Sequence, residues 1–77
     1  MKDLMEYIAK SLVEHPEDVQ IHESGSGDRV RLELKVNAAD MGRVIGKSGR
    51  VANAIRALLR VAAEQQGKQV TLDVLEP

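Results

Sequence analysis

Residues 43 to 50 read RVIGKSGR, two glycines three positions apart with Lys47 and Ser48 between them and Arg43 and Arg50 on either side. The chemistry such a stretch can do is to hold a phosphate. Without a Cβ at Gly46 or Gly49 an anion can approach the main chain closely, and amides at the start of a following helix would point at it. Lys47 brings a mobile positive charge and Ser48 a hydroxyl that donates a hydrogen bond. The rest of the chain offers little other chemistry. There is no cysteine, and His15 and His22 have no second ligand at metal spacing and read as solvent histidines. No Ser/His/Asp set is present, so neither an enzyme nor a metal or cofactor site is expected.

The location of charge supports an anion site. The chain of 77 residues carries a net charge of −1, but residues 41 to 60 hold Arg43, Lys47, Arg50, Arg56 and Arg60 with no acid. All of the positive excess lies in the twenty residues around the glycine pair, and the remainder is acidic or balanced. A nucleotide-binding P-loop fails on spacing, because the position of its first glycine is Met41 and only three residues separate Gly42 from Gly46. A dinucleotide fingerprint fails as well, since SGSGDRV lacks the third glycine.

The elements that must position this stretch follow from periodicity. Leu4, Met5, Ile8, Leu12 and Val13 fall on one face of an opening helix, which Pro16 should end just before His15. Val19 and Ile21 alternate as a short strand, and SGSGD at 24–28 reads as a hairpin turn. Val30, Leu32, Leu34 and Val36 alternate with Arg31, Glu33 and Lys35, the pattern of a strand with one buried face. Asn37 and Asp40 read as a capping pair for a short helix that stops at Gly46. A second helix runs from just after Gly49 to about Gln66, with Val51, Ile55, Leu58, Leu59 and Ala62 on one side and Asn53, Arg56 and Arg60 on the other. Gly67 breaks it, and Val70, Leu72 and Val74 alternate as a last strand. The expectation is one α+β domain over residues 1–77, ordered α-β-β-α-α-β, with three helices on one face of a mixed three-stranded sheet.

In this order of elements, VIGKSGR between two helices resembles the GxxG loop of a bacterial type II KH domain, and the match spans essentially the whole chain. It most resembles the small stand-alone KhpA (YlqC) family. That resemblance implies a cytoplasmic, non-catalytic single-stranded RNA-binding protein, an RNA chaperone or post-transcriptional regulator linked to cell shape and division. It further implies self-association and a larger KhpB (Jag, EloR)-type KH partner. Gly46, Lys47, Ser48 and Gly49 would hold the RNA backbone, Arg43 and Arg50 would reach neighbouring phosphates, and bases would lie against Val44, Ile45, Val51 and Ile55. A lone Tyr7 argues against surfaces that stack bases on several aromatic rings.

The remaining cations read more plainly. Arg56 and Arg60 lie opposite the apolar face of their helix and read as solvated surface, and Lys68 as an exposed loop residue. The apolar arc of residues 50–66 is wide enough to leave surface for a second copy or a partner, so the alternative function is a protein-interaction or dimerisation module.

Overall fold

A computed structural model describes residues 1–76. Helix α1 spans Lys2–Leu12, with Asp3 in its first turn and Lys10 in its last, each charge placed favourably for the helix dipole. Lys10 Nζ lies 2.8 Å from Glu6 Oε1, and this hydrogen bond, with the charge of the same lysine, holds the Glu6 carboxyl below its ordinary pKa. Met5 and Ala9, one turn apart, are the residues α1 buries fully.

The helix ends two residues earlier than the position of Pro16 alone suggests. The amides of Glu14 and His15, which would continue the helix, instead donate to Asp40 Oδ1 and Oδ2 at 3.1 and 3.0 Å. Asp40 therefore does not cap its own helix. Asn37 does take the expected role, accepting from the Ala39 amide at 2.9 Å and opening a 3₁₀ turn at Ala38–Asp40 ahead of α2, Met41–Ile45.

Strands β1 (Gln20–Ser26) and β2 (Arg29–Lys35) pair antiparallel from Gln20↔Lys35 to Ser26↔Arg29, leaving Gly27 and Asp28 as a two-residue turn. Gly27 has φ +61 at the first turn position, as a type II′ hairpin requires. The hairpin is longer than the glycine-rich sequence suggests, because Ser24–Ser26 continue the strand. Gly25 makes this possible: it sits at φ +115, and a Cβ there would lie 2.2 Å from the Arg29 carbonyl oxygen. Strand β3 (Gln69–Val74) runs parallel to β2, giving the order β1-β2-β3 with β3 at an edge.

Helix α3, Arg50–Gln65, supplies the crossover between the parallel strands. It ends in a Schellman arrangement: Gly67 has φ +68, its amide donates to Glu64 O, and the Lys68 amide donates to Ala63 O. The three helices cover one face of the sheet over an all-aliphatic core of Met5, Ala9, Leu32, Leu34, Val36, Val44, Ile55, Leu59 and Leu72. Among the described residues no helix is long and apolar enough to cross a membrane.

The buried stripe of α3 is Ala52, Ile55, Leu59 and Ala63. Leu58, expected on that stripe, is 58% exposed together with Val61 at 56%. The two alanines set the contact face, because their small side chains let the helix lie close to the sheet, and Leu58 falls about 100° round the helix from Leu59. Arg56, expected opposite the core, flanks the stripe instead.

Candidate nucleic-acid interface

Two helices meet at Gly46-Lys47-Ser48-Gly49. Gly46 closes α2, its amide donating to Gly42 O at 2.8 Å, with φ +73 and ψ 174. A Cβ on it would stand 2.5 Å from Val51 Cγ2, so the absent side chain lets the loop fold back against the first turn of α3. Ser48 and Gly49 are both left-handed, at φ 57 and φ 75, and the Gly49 amide donates to Gly46 O at 3.2 Å. The backbone thus turns through a tight 3₁₀ loop that leaves Lys47 and Ser48 exposed, while Gly46 and Gly49 are half-buried.

The 16 residues of α3 begin at Arg50, and Gly49 provides no side-chain cap. The Arg50 amide donates to Lys47 O, and no side chain takes the amides that follow it at the positive end of the helix dipole. Lys47, Arg50 and Arg60 form no ion pair among the described residues. A helix start without a side-chain cap, beside the exposed Lys47, Ser48 and Arg50, is an arrangement able to accept phosphate oxygens.

The structure does not bring every expected site residue to this surface. Val44 and Ile55, expected to line a groove for bases, are 0% and 3% exposed and belong to the core, where they support the loop from beneath. Ile45 and Val51 are half-buried and flank the loop. Arg43 reaches away from it: its Nη2 pairs with Glu14 Oε1, and its Nε lies 3.6 Å from Asp40 Oδ1. Arg50 sits at the first position of α3, exposed.

A groove of about 210 Å³ lies elsewhere, between α3 and the edge strand, lined by Arg56, Leu59, Arg60, Val70, Thr71 and Leu72. Arg56 Nε donates to the Leu72 carbonyl at 3.2 Å and its Nη1 to Asn53 Oδ1 at 3.2 Å, so this arginine joins helix to strand. Helical spacing beside the small-residue stripe was the signal for this placement, and weighting residues by hydrophobic size hides it. His15 also departs from expectation, because the 3₁₀ turn at Pro16–Asp18 folds Glu17 and Asp18 back to within 4.8 Å of its ring nitrogen.

A family model described as the KhpA/KhpB KH domain matches residues 2–74. The chain is 49% identical over 75 residues to the RNA-binding protein KhpA of Clostridium perfringens, covering 97% of this chain and 100% of that protein. It is 46% identical over 76 residues to the RNA-binding protein KhpA of Halalkalibacterium halodurans, covering 99% and 100%. With the RNA-binding protein KhpA of Aquifex aeolicus the identity is 41% over 76 residues, covering 99% and 96%. No solved structure gives a significant match.

Proposed function

Because the chain belongs to the KhpA/KhpB KH-domain family, we propose that it is a non-catalytic module that binds single-stranded RNA. Gly46, Lys47, Ser48 and Gly49 hold the sugar-phosphate backbone, and Arg50 steadies the next phosphate. Ile45 and Val51 give apolar contact beside the loop. Bases lie toward the groove between α3 and β3, where half-buried Val70 gives apolar surface over the buried Leu59 and Leu72 and Arg60 adds a further cation. The names of the relatives point the same way, since each is called an RNA-binding protein. The observation that supports this reading most is the uncapped start of α3 beside a loop whose close turn requires glycine at position 46.

Three unpaired cations set the scale of binding. At about 0.7 of a log unit per phosphate on a single strand, log K against log salt should fall with a slope of about −2, with affinity of about 10⁻⁶ to 10⁻⁴ M for one copy. Titrating a short random single-stranded RNA across a salt series measures that slope, and binding indifferent to salt would remove the phosphate clamp from consideration. The compartment this reading implies is the cytoplasm. Its cellular role, by resemblance to the family, is RNA chaperoning or post-transcriptional regulation linked to cell shape and division, with a KhpB-type partner.

A second reading has its own support. Leu58 and Val61 lie one turn apart on α3, both more than half exposed, on the flank the sheet leaves uncovered. Such a pair suits a symmetric contact between two copies, which would set two RNA grooves in one particle. On this reading the scaffold serves chiefly to pair with itself or with a larger KH protein.

A further inference from the structure

We propose that Glu14 occupies Arg43 as an internal substitute for phosphate, so that RNA gains a fourth cationic contact only by displacing this carboxylate. The inference rests on the RNA-binding reading above and concerns how that site is held in check. Arg43 lies in the last turn of α2, three residues before Gly46, and is one of five cations in a stretch without an acid. The acid that neutralises it comes from outside, at the end of the segment that follows α1.

The anchoring of the two carboxylates differs. Asp40 is 1% exposed and spends its oxygens on the Glu14 and His15 amides, touching Arg43 only at Nε, 3.6 Å away. Glu14 holds the outer end of the guanidinium through Nη2, and both side chains remain in solvent, Arg43 at 50% and Glu14 at 64%. An exposed pair of this kind is weak and exchanges readily, whereas arginine binds phosphate through two parallel charge-assisted hydrogen bonds. Removing the Glu14 charge frees the outer fork and leaves Nε beside Asp40, on a residue three positions before Gly46. The position of residue 14 does not depend on its side chain, because Asp40 holds it by the backbone.

The test compares wild type with Glu14→Gln, Arg43→Gln and the double variant, titrated with a fluorescent short random single-stranded RNA over a salt series. Glu14→Gln should bind about three- to tenfold tighter at low salt, with a salt slope steeper by about 0.7, the increment for one more phosphate. Arg43→Gln should abolish that gain in the Glu14→Gln background and change wild type little. Glu14→Ala, which keeps the amide that Asp40 holds, should reproduce the gain. Glu64→Gln makes the same change in net charge away from Arg43 and should leave the slope alone. If Glu14→Gln matches wild type in affinity and slope, or if Arg43→Gln weakens wild type as much as it weakens Glu14→Gln, the inference is overturned while RNA binding stands. If folded wild type binds no RNA at all, the reading beneath it falls and the inference falls with it.

Discussion

Asp40 ties the segment after α1 to the start of α2. Its carboxylate is buried, takes two main-chain amides from the segment after α1, and stands beside the Arg43 guanidinium. Replacing it by alanine leaves two amides without their acceptor and removes the link between the end of α1 and the start of α2. A charged hydrogen-bond acceptor lost from such a site costs about 2–4 kcal/mol. Asp40→Ala should therefore lower the urea midpoint by that equivalent with an unchanged m-value, and a variant as stable as wild type would show that the amides find water instead. The sequence marks Asp40 as a cap because of its spacing from Asn37. A cap and a long-range tether use the same residue type, and local spacing cannot separate them when the partner lies 25 residues away.

Between the two helices, glycine has two different jobs. At Gly46 a methyl group meets Val51 Cγ2 at 2.5 Å in a backbone already at φ +73, whereas at Gly49 the nearest such atom is Asn53 Nδ2 at 3.9 Å. Gly49→Ala should thus cost about 1 kcal/mol, the left-handed penalty alone, and Gly46→Ala more, with displaced amide signals through residues 46 to 52. Equal costs in thermal melts would contradict the packing. This turn was legible as a pair of helix breakers, as were β2 by its alternation and α3 by the glycines that bound it. Less legible were the elements where small residues act by what they lack. Ser24–Ser26 read as a turn although Gly25 carries the strand, and Ala52 and Ala63 define a contact face that Leu58 does not share. Arg56, beside that face, reads as surface until the proximity of β3 gives it a carbonyl to bind.

Across the whole molecule, a core assembled from aliphatic side chains leaves Leu58 and Val61 outside it. Leu58→Glu should leave the monomer fold intact, with a stability change within about 0.5 kcal/mol, because an exposed residue far from caps and core contributes little. If two copies meet on this flank, light scattering should show wild type as a dimer and Leu58→Glu as a monomer, with weaker apparent affinity for RNA long enough to span two grooves. A wild type that stays monomeric at every concentration would rule out self-association on this flank. Net charge tells little at this scale, since −1 overall hides a +5 segment spread over one loop and the two helices it joins.

On the proposed function, the GKSG loop clamps an RNA backbone. The most direct test is fluorescence anisotropy of a short random single-stranded RNA with wild type and with Lys47→Asp/Ser48→Asp, the folds compared by circular dichroism. Both positions are exposed and neither side chain forms a hydrogen bond or ion pair among the described residues, so two carboxylates there should leave the fold unchanged while repelling phosphate. The folded variant should lose binding; a folded variant that binds as tightly as wild type would reduce the loop to a turn between helices.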